Sequence, residues 1–229
     1  TIEDAKAQLE AELKAAGLSA VYEDIELPLI PIITRMETKG ITLDAAYLQG
    51  LSRDYHEKLS AIEASIYEHA GEVFNINSPK QLGVVLFDKM GLKVKGLKKT
   101  EGGARSTRES ELEKLRESHP IIEKILEYRE IQKLLSTYID TLPVLADASG
   151  RIHTTLHQDG TTTGRFSSTD PNLQNIPVRE GLGEVIRDAF VAPKGKLLIS
   201  FDYSQIEMRV LAMLSGDPGL AEIFRTGED

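Results

Sequence analysis

Between Asp44 and Gly71 the chain carries Leu48, Leu51, Tyr55, Leu59, Ile62 and Ile66 at steps of three and four. That spacing lines one face of an α-helix and cannot line one face of a strand, where the period is two. Asp44 is a good N-cap, because its side chain can accept from backbone N–H groups that a helix start leaves open. Gly71 is a plausible stop. A stripe of this width needs another element to cover it, so it reads as core packing and not as a cofactor site.

Shorter helical patterns lie on both sides. Residues 1–22 are rich in Ala, Glu, Lys and Leu, and a second helix is expected from Ile25 to Glu37 with Leu29, Ile32, Ile33 and Met36 on one face. Pro28 suits its first turn, whereas Pro31 should disturb it. Ser78-Pro79 opens another helix, with Leu82, Val85, Leu86 and Met90 inward and Gly91 ending it. Ser110-Glu111-Leu112-Glu113 matches a capping box and predicts a helix through Leu115. After Pro120 a longer helix carries Ile121, Ile125, Leu126, Ile131, Leu135 and Tyr138. Gly96 to Arg108, rich in Gly, Lys and Thr, reads as a flexible tip between helices. Gly150 to Gln158 alternates as a strand, and Lys196-Leu197-Leu198-Ile199 reads as a buried one. Neither an internal repeat nor a low-complexity segment is present.

Charge and composition narrow the class. No apolar run reaches the length of a membrane span, nothing at the N-terminus resembles a signal peptide, and the cytoplasm is the expected compartment. The chain has no cysteine, which excludes disulfides and thiolate zinc sites. A net charge of −9 argues at first against nucleic acid, but the distribution overrides the sum. Residues 93–108 carry Lys93, Lys95, Lys98, Lys99, Arg105 and Arg108 against Glu101 alone, a local balance of +5. Residues 1–30 run the other way, with seven acids against two lysines. An acidic chain can still present a basic edge to phosphates, although a solvated lysine-rich loop would look the same.

The most informative stretch is Ser200-Phe201-Asp202-Tyr203-Ser204-Gln205-Ile206-Glu207-Met208-Arg209. A carboxylate at the tip of a buried strand is costly to ionise unless a cation or hydrogen bonds offset the loss of water. On these residues alone, Asp202 could equally cap a helix. Upstream runs Thr163-Gly164-Arg165-Phe166-Ser167-Ser168-Thr169-Asp170-Pro171-Asn172-Leu173-Gln174-Asn175-Ile176-Pro177-Val178-Arg179, a long, irregular and polar string. Together the two closely resemble the family A DNA polymerases. The resemblance extends roughly from Glu23 to the last residue, with Phe166 and Met208 each standing where leucine is usual.

The resemblance implies an α+β fold, a mainly helical thumb arm followed by part of an antiparallel palm sheet. Residues 1–24 would be the tail of an exonuclease-like domain, 25–145 the thumb with supporting helices, and 146–229 the first part of the palm. It implies that Asp202, with the Tyr203 backbone carbonyl, ligates Mg2+, two ions serving the complete active site. Tyr203, Ser204, Gln205, Ile206 and Glu207 would adjoin the incoming dNTP, and Glu207 would lie beneath its sugar and exclude a 2′-hydroxyl. Arg165, Asn172, Gln174 and Asn175 would meet primer-template DNA near the growing end, and Arg179 a primer phosphate. Lys98, Lys99, Arg105, Ser106, Thr107, Ser136 and Thr137 would contact phosphates further along the duplex.

The chemistry behind this assignment is simple. Nucleotidyl transfer needs an attacking 3′-hydroxyl, a leaving pyrophosphate and cations between them, held by hard oxygen ligands. Arg, Asn and Gln can reach the minor-groove acceptors that all four base pairs offer in similar places, which tests pair geometry without reading sequence. The family's fingers and its second catalytic carboxylate come later than Asp229. The expected partner is therefore a C-terminal polymerase half, as a separate chain or a cut segment. A non-catalytic DNA-gripping fragment is the alternative, and a helical interaction protein with an idle polymerase remnant a third. His153 and His157 share one face of the expected strand, an arrangement open to metal ligands, but strand-surface packing accounts for them as well.

Overall fold

A computed structural model describes residues 1–93, 96, 98, 102–103, 105–177 and 183–227, which fall into two units, Thr1–Val191 and Ala192–Asp229. In the first unit α1 (Ile2–Ala15) opens on a capping box in which Thr1 and Asp4 bond each other's backbone, and none of its residues is buried. The chain then passes from α2 (Ser19–Val21) through a π-helical turn, Tyr22–Glu26, into α3 (Leu27–Lys39). Pro28 sits in the first turn, and Pro31 lies inside the helix, where its missing N–H removes one backbone bond without ending the element. The expected inward face of α3 is buried only at Ile33; Ile32 and Met36 remain 42% and 56% exposed.

Helix α3 stops at Gly40, whose φ of 57° favours glycine. A Cβ there would also stand 2.5 Å from the Ile152 carbonyl oxygen, so only glycine lets β1 (Ile41–Thr42) leave the helix at this angle. Helix α4 (Ala45–Ala70) follows, capped as its spacing predicts: Asp44 accepts from Tyr47 N–H at 2.9 Å and Gly71 ends it at φ 72°. α5 (Pro79–Gly83) runs into a π-helical turn, Val84–Lys89, burying Leu82, Val85, Leu86 and Phe87. The predicted capping box does not form. α6 (Glu109–Leu112) begins one residue before Ser110, Arg108 holds the cap position without a side-chain bond, and a 3₁₀ turn completes the segment over Glu113–Leu115. Ser110 therefore lies inside the helix, and Glu113, the acid the box requires, pairs with Arg116 at 2.8 Å instead.

α7 (Pro120–Leu134) continues through a π-helical turn, Leu135–Ile139, to α8 (Leu142–Leu145). Its apolar face meets that of α4, and Leu48, Ile62 and Ile66 join Ile121, Ile125, Ile131, Leu135 and Ile139 in one core. Polar groups flank the seam: Lys58 pairs with Glu127 at 3.0 Å, and Asp140 accepts from Ser52 Oγ at 2.7 Å.

The single strand expected over 150–158 is instead two. β2 (Arg151–Ile152) pairs antiparallel with β1, Ile152 opposite Ile41, while β3 (Thr155–His157) pairs antiparallel with β4 (Ser167–Thr169), Leu156 opposite Ser168. His153 and Thr154 fall between the two ladders: His153 Nδ1 lies 2.7 Å from the Glu37 carbonyl oxygen, and Thr154 Oγ1 bonds the Ser168 hydroxyl and the Thr169 and Pro171 carbonyls. α9 (Glu184–Arg187) follows, and Phe190 bridges to Leu43.

The second unit contains α10 (Ile206–Ser215) and α11 (Pro218–Thr226), packed together and joined at Asp217, which caps α11 by accepting from Leu220 N–H at 2.9 Å. Lys196–Ile199 is not a buried strand: no described strand pairs with it, and Leu197 and Ile199 are 84% and 70% exposed. A strand is buried only when neighbours take up its backbone groups and cover its faces, and among the described residues none do. The fold class is α+β, helices with small antiparallel sheets. Among the described residues no helix is long and apolar enough to cross a membrane.

Candidate nucleic-acid interface and catalytic segment

The Thr163–Asn175 string folds as β4 with a loop on either side, tied down by its own polar residues. Ser168 is buried; its hydroxyl shares a 2.6 Å bond with Thr154 Oγ1 and accepts from Leu173 N–H at 3.0 Å. Thr154 Oγ1 also reaches the Pro171 carbonyl at 2.8 Å, beside a cis Asp170–Pro171 bond. Asn172 Oδ1 accepts from Gln174 N–H at 3.0 Å, Gln174 Nε2 donates to the Phe166 carbonyl at 2.9 Å, and Thr161 Oγ1 to the Arg165 carbonyl at 2.7 Å. Tyr138 anchors the far end, its hydroxyl donating to the Asn175 carbonyl. A well-satisfied frame of this kind presents side chains at fixed positions, and Arg165, Asn172, Gln174 and Asn175 are all exposed on it.

A concavity of about 430 Å³ opens between this loop and the end of α7, lined by Lys133, Thr137, Tyr138, Leu142, Pro171, Asn172 and Asn175. It brings together Thr137, Asn172 and Asn175, three of the residues expected to meet DNA. Lys133 was missed by the sequence reading. Its position four residues before Thr137, hence on the same helical face, is the signal that could have found it.

The other expected contacts divide by burial. Lys98 is exposed, and Arg105 lies over the Phe87 ring at 5.3 Å while donating to the Phe87 carbonyl at 3.2 Å. Ser106 and Thr107 are buried: Ser106 Oγ accepts from Arg108 N–H at 3.3 Å, and the Thr107 carbonyl accepts from Arg129. Ser136 and Thr137 are exposed, although Ser136 Oγ also turns back to the Lys133 carbonyl at 3.4 Å. Lys99 and Arg179 lie outside the described residues.

In the second unit, Asp202, Tyr203 and Ser204 sit exposed on an irregular segment before α10. Gln205 turns the chain through φ 50°, so the helix starts at Ile206 with Glu207 in its first turn, and Asp202 is not its cap. Arg209 holds the turn from below: Nε donates to the Ser204 carbonyl at 2.9 Å, and the guanidinium stacks 4.7 Å from the Phe224 ring on α11. Ile206 is half exposed and Glu207 exposed. The segment thus offers an accessible carboxylate and backbone carbonyls on the approach to a helix. His153 and His157 do not converge; His153 bonds Glu37 and Asp147, and His157 bonds Thr169. Among the described residues no group of three His, Cys, Asp or Glu side chains could hold a metal.

This chain belongs to DNA polymerase family A, whose model matches residues 45–229. It is 52% identical over 210 residues to the thermostable DNA polymerase I of Thermus aquaticus, covering 91% of this chain and 25% of that protein. To DNA polymerase I of Synechocystis it is 50% identical over 213 residues, covering 93% of this chain and 22% of that one. Its fold matches the POL domain of Pol1 from M. smegmatis, solved in complex with DNA primer-template and dNTP, at TM-score 0.87 and 40% identity, over 96% of this chain and 39% of that one. The chain spans about a quarter of the length of the curated relatives it matches.

Proposed function

We propose that this chain is the thumb and the first part of the palm of a template-directed DNA polymerase, which adds dNTPs to a primer 3′-hydroxyl on primer-template DNA in the cytoplasm. The observation that carries the reading is that the Thr163–Asn175 loop and the Asp202–Glu207 segment both lie within the match to the family. Residues 1–24 are assigned to the end of a preceding exonuclease-like domain, 25–145 to the thumb and 146–229 to the palm. The loop suits minor-groove contact because its amide and guanidinium groups are exposed while their backbone is fixed. Lys98, Lys99, Arg105, Lys133 and Arg179 supply phosphate contacts, which set affinity but not sequence preference.

Asp202 and the Tyr203 carbonyl are hard oxygen donors on an accessible segment, a set that suits Mg2+ but is partial. Two such ions, when bound, neutralise charge that builds between the attacking and leaving oxygens. The second bridging carboxylate, and the fingers that close over the nucleotide, are assigned to a C-terminal polymerase half complementary to this segment. Glu207, at the start of α10, is assigned to the sugar of the incoming nucleotide, and Ser204, Gln205 and Ile206 to its surroundings.

The test is Asp202→Ala in the full-length protein. Primer extension should fall about a thousandfold or more, while duplex affinity stays within about twofold. Extension that survives the change would remove Asp202 from the reaction.

A further inference from the structure

Glu111 is the one acidic side chain that is buried among the described residues, 3% exposed on α6. A carboxylate out of water must be matched by donors, and its donors are informative. Oε2 accepts the backbone N–H of Lys98 at 2.8 Å, and the two oxygens accept the Lys114 ammonium at 2.9 and 2.8 Å. The same ammonium donates to the Gly96 carbonyl at 3.2 Å. One acid and one base on the α6 segment thus hold two points of the basic stretch that precedes it. The stretch is fastened from its other end as well, because Ser106 N–H donates to the Lys98 carbonyl at 2.9 Å. Lys98 therefore has its backbone N–H and carbonyl both engaged while its side chain stays exposed.

We propose that Glu111 is a positioning residue for duplex DNA: by fixing the backbone at Gly96 and Lys98 it presets the Lys98 ammonium for a phosphate. The inference rests on the reading of the basic stretch as a DNA contact. Ordering a loop beforehand removes a cost that binding would otherwise bear. The Lys114 and Lys98 donors hold the Glu111 carboxyl below the usual carboxylate range, so the anchor is charged at neutral pH.

Charge alone predicts the opposite of this proposal. Replacing Glu111 by an apolar residue deletes a negative charge and frees the Lys114 ammonium, which should tighten binding to a polyanion. The anchor predicts weakening. In the full-length protein, Glu111→Leu should bind a primer-template duplex about tenfold more weakly, with a shallower salt dependence. Glu111→Gln, which can still accept from Lys98 N–H, should recover most of that affinity. Lys98→Ala should weaken binding to a similar extent, and the Glu111→Leu/Lys98→Ala double variant should be little worse than either, because both act through one contact.

Binding that is unchanged or tighter in Glu111→Leu, beside a real loss in Lys98→Ala, would overturn the anchor and leave the DNA reading standing. Losses that simply add would reduce Glu111 to a structural ion pair and overturn it too. No effect of Lys98→Ala would remove the stretch from the DNA interface, and the inference with it. Amide hydrogen exchange gives a reading that needs neither DNA nor a stable Leu variant. The Lys98 N–H should be protected in the unaltered protein and exchange faster in Glu111→Gln; free exchange in the unaltered protein would overturn the anchor.

Discussion

His153 holds two acceptors at once. Nδ1 lies 2.7 Å from the Glu37 carbonyl and Nε2 3.1 Å from Asp147 Oδ2, and neither oxygen has a proton to give. Both contacts are hydrogen bonds only when both ring nitrogens carry hydrogen, which makes the imidazolium the form that fits. The Glu37 carbonyl and the Asp147 carboxylate raise the His153 pKa, with nearby Arg151 opposing. Bonds from the Arg151 and Ser149 backbone and from His153 hold Asp147 well below the usual carboxylate range. The sign follows. A histidine with a raised folded-state pKa contributes most below its unfolded value near pH 6.5 and loses that contribution as pH rises through the raised value. The melting temperature of His153→Asn should therefore fall furthest below the parent near about pH 6 and approach it by about pH 9. Parallel pH curves would mean a neutral imidazole. Glu207→Ala, at the other site, should relax discrimination between dNTPs and rNTPs, measured as the ratio of their incorporation efficiencies; an unchanged ratio would detach Glu207 from the sugar. Asp202 and Glu207 were legible as candidates because their string is polar and irregular, so a match to it carries information. The burial of Ser106 and Thr107 was not, because hydroxyls carry no periodic signature and what covers them lies far along the chain.

Among the elements, α4 was the most legible, and the reason is physical. Its stripe runs for 26 residues and its two caps are local, so nothing distant had to be known to find it. What it packs against is the part the pattern leaves open, and α7 fills that place. Ile125 is fully buried at this seam, and Ile125→Ala should cost about 3 kcal/mol by removing apolar contacts and leaving a cavity. Asp44→Ala, which removes only the cap to Tyr47, should cost about 1 kcal/mol. Urea titrations would rank the two, and a reversed order would mean that the seam relaxes around the smaller side chain. Elements set by distant partners were misread. The strand over 150–158 split because its two halves pair with different strands, β1 and β4, and a nearer competitor undid the Ser110–Glu113 box, whose acid Glu113 pairs with Arg116. The π-helical turns at Tyr22–Glu26, Val84–Lys89 and Leu135–Ile139 each widen a helix by a residue per turn, too brief a change to alter a period read over several turns.

For the whole molecule the proposed function raises the question of how a chain of net charge −9 would grip a polyanion. Acids are numerous and dispersed, with Glu3, Asp4, Glu10 and Glu12 all exposed on α1. Cations matter where they are placed, and fields from exposed charges fade over about 8 Å at physiological salt. Binding should then answer to local contacts rather than to the sum. If net charge governed, added salt would screen repulsion between two anions and strengthen the complex. If local cations displace counterions from phosphates, affinity falls with salt, and log K declines linearly with log salt by about 0.9 per contact. The second behaviour is expected. Lys133, which stands in the concavity beside Asn172 and Asn175, offers a direct check. Lys133→Ala should lower the salt slope by about 0.9 and weaken binding alike across duplex sequences, with little change in melting temperature because the side chain is exposed. An unaltered slope would place the concavity away from the duplex, and a slope of the opposite sign in the parent protein would mean that the acidic surface, not the basic stretch, meets the DNA.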